Sequence, residues 1–145
     1  MSADIDYELD RFIDAQNVIY DKALAELAAG RKRSHWMWFI FPQIAGLGSS
    51  VMAEKYAIRS VEEASRYLAD PILGSRLRRC VDAVLAVRDR SANEIFGSPD
   101  DLKLRSSMTL FSAISDYGSP FHKVIDQFYE GQFDARTIQL LDASN

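Results

Sequence analysis

The residues best suited to chemistry fall in one run. Both tryptophans of the chain and one of its two histidines stand together in His35-Trp36-Met37-Trp38. Indole and imidazole rings offer flat faces for stacking and N–H groups at their edges, so such a group can hold a purine or nicotinamide ring. Arg31, Lys32 and Arg33 precede it, and Gly46-Leu47-Gly48-Ser49-Ser50 follows it ahead of a helix-forming run. Small residues before a helix leave backbone N–H groups open to an anion, which the helix dipole favours. Two plainer readings compete: the aromatics fill the core, and Ser49 or Ser50 only caps the helix.

A second group lies in Asp100-Asp101-Leu102-Lys103-Leu104-Arg105-Ser106-Ser107. On a helix Lys103, Ser106 and Ser107 share one side, and a lysine with two hydroxyls can grip a phosphate or carboxylate. The plainer reading is a solvated face with Asp101 and Arg105 paired at i,i+4. Glu54 and Tyr56, just past the glycine loop, are the nearest acid-base and hydrogen-bonding groups. Gln16 is a polar residue inside an apolar stripe, where it needs partners.

These residues make one expectation: a pocket for a nucleotide-like or phosphorylated small molecule. Its ring would stack on Trp36 or Trp38 beside His35. Its anion would meet Gly46, Gly48, Ser49, Ser50, Lys103 and Ser107. Were the site catalytic, Glu54 would be its general acid or base. The alternative is a non-enzymatic helical module that binds a protein partner or a second copy of itself.

Other chemistries lack their signatures. There is no phosphate-binding G-x-x-x-x-G-K, no dinucleotide-binding G-x-G-x-x-G and no nucleophile elbow. His35 and His122 belong to no metal-ligand spacing, so neither metal nor cofactor is expected. Cys80 is the one cysteine, which forbids an intrachain disulfide; it lies on an apolar stripe, as a small buried hydrophobe does. The formal charge of −4 argues against nucleic acid, whose binding needs clustered cations. No apolar run reaches the ~18 residues of a membrane span. The acidic start of the chain lacks a signal-peptide core, so a cytoplasmic location is expected.

The elements that must position these groups are helical. A length of 145 residues with 48% hydrophobic content suits one domain with a sizeable core. Residues 1–5 are expected to be a flexible terminus. A first helix is predicted from Asp6 to Ala29, with Leu9, Phe12, Ile13, Gln16, Ile19, Tyr20, Ala23, Leu24 and Leu27 at helical spacing and Gly30 as its stop. Ser60 with Glu63, and Ser91 with Glu94, have capping-box spacing. Asp70-Pro71, Ser98-Pro99 and Ser119-Pro120 read as cap plus proline at the first helical position. The helix after Pro99 is predicted to run to Gly118, and Asp134 to cap a last short one. Trp36 to Phe41 has strand propensity, but a lone strand has no partner, so Ser34 to Pro42 is read as a short buried helix. On it His35, Trp38, Phe39 and Pro42 would share a face. The fold expected is all-α, seven or eight helices around one core.

The segments RFIDAQNVIYDKALAEL, GRKRSHWMWFIFPQIAGLG, EKYAI, EEASRYL, DPILGSRLRRC and FGSPDDLKLRSSMTLF resemble the DUF1810 family of small bacterial proteins. The resemblance spans nearly the whole chain, and SHWMWFIFPQ is its most specific part. It implies an all-helical fold of unknown function, with no catalytic residues to carry over. The name calpastatin borne by some members has no basis in these residues. A fainter likeness joins the segment from Tyr56 to Leu77 to the YbiA/NADAR group, associated with N-glycosidic chemistry; it implies hydrolysis of an N-glycosidic bond as the reaction, with Glu54 as the carboxylate near the developing positive charge.

Overall fold

The computed structural model describes residues 8–144, with the side chain of Ser144 outside that description. The expected terminus at 1–5 and the predicted helix start at Asp6 lie outside the described residues. Among them nine helices form an all-α domain without strands. They are α1 (Asp10–Ala28), α2 (Met37–Ile40), α3 (Val51–Lys55), α4 (Val61–Ala69), α5 (Leu73–Leu85), α6 (Ala92–Phe96), α7 (Asp100–Ala113), α8 (Pro120–Tyr129) and α9 (Ala135–Ser144). The count exceeds the expected seven or eight because short pieces such as α2, α3 and α6 stand as separate helices.

Local signals set most helix starts. Ser60, Ser91 and Ser119 each accept the N–H three residues on, from Glu63, Glu94 and His122. Glu94 returns the bond to the Ser91 N–H, which completes the capping box. Asp70 Oδ1 accepts from the Ile72 and Leu73 N–H groups, so it tethers the turn that leads into α5. Asp134 Oδ2 accepts from the Thr137 N–H at the start of α9. Ser98 does not cap: α7 begins at Asp100 with no side-chain cap.

The centre of the molecule is α7, which packs against α4, α6, α8 and α9. Leu104, Ser106, Ser107, Met108, Thr109, Leu110 and Phe111 are all buried, so little of the helix faces water. This corrects the expected solvated side. Ser106 and Thr109 survive enclosure because their hydroxyls donate to the Leu102 and Arg105 carbonyls one turn back. Arg105 does not pair with Asp101. Its guanidinium donates to the Gln132 and Phe133 carbonyls and ties α7 to the segment before α9.

Around α7, α1 packs on α5 and α2, and α5 on α8 and α4. Burying Phe12, Leu27, Trp36, Tyr67, Leu77, Phe111 and Phe121 removes their whole side chains from water. Each such burial is worth about 1.5–3 kcal/mol against exposure. Gln16, read as a polar oddity, is buried and donates from Nε2 to the Phe39 carbonyl and the Tyr67 hydroxyl. It thereby joins α1, α2 and α4. Burial pushes the Tyr67 hydroxyl pKa up, and the Gln16 bond offsets only part of that rise.

Candidate functional site

The aromatic run divides at Trp36. The helix begins only at Met37, and Trp36 precedes it with φ −140°. The preceding segment is wired to α1 by one carboxylate. Glu26, itself buried, accepts from the Arg33 N–H (2.8 Å), the Ser34 N–H (2.9 Å), Ser34 Oγ (2.7 Å) and Trp36 Nε1 (3.0 Å). Burial alone would raise the Glu26 pKa. Its four hydrogen bonds outweigh burial and hold the carboxyl at about 2.

Two corrections follow. His35 does not share a helical face with Trp38, because Ser34 and Trp36 are held by Glu26 outside the helix; His35 is exposed. Trp36 is 0% exposed, with Phe41 and Phe96 against its ring. It offers no face to a ligand.

Trp38 is half-buried and does meet part of the predicted set. The Lys103 ammonium stands 3.7 Å from its ring centre, a cation–π contact. Lys103 also pairs with Asp100 at 3.3 Å, and Asp100 with Lys32 at 2.9 Å. Trp38, Gly46, Gly48 and Tyr56 line one hollow. Its volume is about 10 Å³, room for about one water.

The glycine loop has its own packing reasons. Gly46 has φ +103°, and a Cβ there would stand 3.1 Å from a Leu140 methyl on α9. A Cβ on Gly48 would stand 2.9 Å from the Ala53 Cβ. The loop ends are pinned by the Ala45 N–H to the Ile58 carbonyl and the Ile58 N–H to the Gln43 carbonyl, both 2.8 Å. Ser50 caps α3 by accepting from the Ala53 N–H. With five residues α3 carries little dipole, so the expected field on an anion is weak. Ser49 and Glu54 are exposed, and neither lines the hollow. Ser107 is 0% exposed inside α7, where it cannot meet an anion beside Lys103.

A roomier cavity lies elsewhere, at the end of α7. That helix stops at Ala113 rather than Gly118, because Ser115-Asp116-Tyr117-Gly118 folds as a turn. The Ser115 N–H donates to the Ser112 carbonyl and the Ser119 N–H to the Asp116 carbonyl, while Gly118 takes φ +85°. The Gly118 N–H donates to His122 Nδ1 at 3.2 Å, which docks the turn on α8. The early stop leaves a gap of about 390 Å³ between α7, this turn, α8 and α9. Such a volume lies within the usual range for small-molecule sites.

Rings and hydroxyls line the gap. His122 has Tyr117 edge-on at 4.4 Å and Phe133 tilted at 5.3 Å between centres. Tyr117 is 91% exposed and Ile138 42%, an apolar rim open to solvent. Because Nδ1 accepts, the neutral His122 ring carries its proton on Nε2 and can donate there. Ser112 also lines the gap, and its buried Oγ has no hydrogen-bond partner among the described residues. None of the described lining residues is Lys, Arg, Asp or Glu. Among the described residues no group of three or more His, Cys, Asp or Glu side chains is placed to hold a metal ion.

Sequence reasoning missed Glu26, Ser112, Tyr117, His122 and Phe133. The available signal was the turn chemistry of Asp116 to Pro120 with an aromatic inside it, which marks a loop rather than a helix end.

An all-α domain with an apolar cavity at the end of its central helix is the class defined by this geometry. The chain belongs to the family described as "Protein of unknown function (DUF1810)", which matches residues 6–141. It is similar to the crystal structure of the conserved hypothetical protein Rv1873 from Mycobacterium tuberculosis. The two share 50% sequence identity with a TM-score of 0.93, over 95% of this chain and 99% of that one. No curated protein matches the chain. Neither likeness supports the fainter one to the YbiA/NADAR group.

Proposed function

We propose that the protein binds a small molecule with a planar, uncharged ring in the cavity between α7, α8 and α9. One observation carries this reading: a gap of about 390 Å³ walled by Phe133, His122 and Tyr117, with the unpartnered Ser112 hydroxyl beside it. Burial against three rings supplies the attraction, and His122 Nε2 with Ser112 Oγ supplies orientation. Glu54 is remote from this lining, so the proposal is binding, without hydrolysis.

A nucleotide-like ligand on Trp38 draws on a weaker geometry. Trp38, Gly46 and Gly48 line one hollow and Lys103 stands against the Trp38 ring, but the hollow has room for about one water. Cytoplasmic residence suits the buried, free Cys80, whose thiol burial pushes up to about 12. Among the described residues no helix is long and apolar enough to cross a membrane.

The test is titration with indole and benzamide, followed by amide chemical shifts, with NAD and ADP-ribose run alongside. Saturable shifts confined to residues around His122 and Phe133 are expected, and Ile138→Trp, which fills the mouth from an exposed position, should abolish them. A response only to the nucleotides, lost in Trp38→Ala, would move the site to Trp38. No response to any of the four would leave the helical interaction module as the better reading, with sedimentation as its measurement.

A further inference from the structure

We infer that the cavity's ligand carries one anionic group, a carboxylate or phosphate, which is read by Arg78; this rests on the ring-binding proposal above. A second hollow, of about 460 Å³, adjoins the first. The two share Ser115 and Tyr117 as a common wall. The first holds none of the charged residue types among its described lining; the second holds both Arg78 and Asp116.

Arg78 is exposed on α5 and makes one long hydrogen bond, 3.4 Å, from a guanidinium nitrogen to the Leu68 carbonyl. No carboxylate pairs with it among the described ion pairs. A guanidinium has five N–H donors, so most of its capacity is unspent at a residue that lines the hollow. Tyr117 stands at the junction with 91% of its surface in water. An aromatic so exposed, edge-on to His122, gains burial only if something occupies the space beside it. A ligand whose ring lies against His122 and Phe133, and whose tail passes Tyr117 and Ser115, ends in the hollow lined by Arg78. There a charge-assisted, two-pronged bond favours a planar carboxylate or a phosphate over a neutral end. Asp116 lines the same hollow with the opposite charge, which limits affinity and rejects ligands with a larger anionic load.

The experiment compares matched probes by calorimetry on the full chain: 3-phenylpropionate, 4-phenylbutyrate and phenethyl phosphate against 3-phenylpropanol, 4-phenylbutanol and 2-phenylethanol. At least one acid or the phosphate is expected to bind about tenfold more tightly than its alcohol, the scale of one hydrogen bond to a charged group. Arg78→Gln should erase that difference while leaving the alcohols unchanged. Asp116→Asn should strengthen anion binding and leave the alcohols unchanged. The preference for carboxylate or phosphate names the tail. Alcohols binding as tightly as the acids overturn this inference and leave the ring site standing. An anion preference that survives Arg78→Gln overturns it as well. No binding by any probe, with no response to indole or benzamide, overturns the ring site and this inference together.

Discussion

The belt from Arg31 to Gly48 and the cavity at the end of α7 are built from similar residues and reach opposite outcomes. Each contains a histidine, large rings, serine and glycine. Among the described residues no buried side-chain nitrogen or oxygen in the belt lacks a partner, and neighbouring elements take part in that network. Glu26 takes four donors, Ser50 caps α3, and Lys32 and Lys103 share Asp100. At the cavity the groups stay available: the Ser112 hydroxyl is unpartnered, and Tyr117 lies in water. Aromatic density therefore marks enclosure in this protein. Openness arises where a helix stops early and its neighbours diverge.

The contrast breaks first at Trp36. Trp36→Ala should cost about 3–5 kcal/mol, because it empties a closed site and orphans one Glu26 contact. Chemical denaturation measures it, and a loss under about 1 kcal/mol would mean that the belt is not a sealed core. Next comes Glu26→Gln, expected to cost about 1–3 kcal/mol at neutral pH through weakened charge-assisted bonds. Its pH dependence has a definite sign. The folded carboxyl sits near 2, below its ordinary value of 4.5. Its stabilisation is therefore full above about 4.5 and is lost as pH falls toward 2. Glu26→Gln should flatten that acid limb; an unchanged limb would place the acid sensitivity elsewhere.

Smaller effects sharpen the other side. Lys103→Ala removes a partly exposed cation from the Trp38 ring and should cost about 0.5–1 kcal/mol. A change in Trp38 emission should accompany it, and an unaltered spectrum would show that the contact does not persist in solution. Tyr117→Ala should move stability by no more than about 0.5 kcal/mol, as for an exposed residue, yet weaken indole binding measured by calorimetry. Equal binding by Tyr117→Ala and the parent would remove Tyr117 from the site.

Much of the fold was legible from residues a few positions apart. Ser60, Ser91 and Ser119 cap as their spacing implied, and the stripe Leu73, Leu77, Cys80, Val81 and Val84 is buried on α5. The candidate site was legible only in fragments. Trp38 meets Gly46 and Gly48 at one hollow and Lys103 at its ring, while His35 and Glu54 are exposed and Trp36 and Ser107 are closed in. Composition could not separate Trp36 from Trp38. What separates them is Glu26, set on another helix and facing Trp36 across a turn.

By itself, then, the sequence determined an all-α chain, several of its helix starts, its apolar stripes and its family. Helical periodicity and capping act across three or four residues, and those distances are written in the chain. The tertiary structure alone decided which tryptophan is sealed, why Gly46 faces Leu140, and that Ser112, His122 and Phe133 surround one gap. Those outcomes depend on how α7, α8 and α9 pack across many intervening residues. An enclosed or open space is a property of several surfaces meeting, which no short stretch of sequence contains.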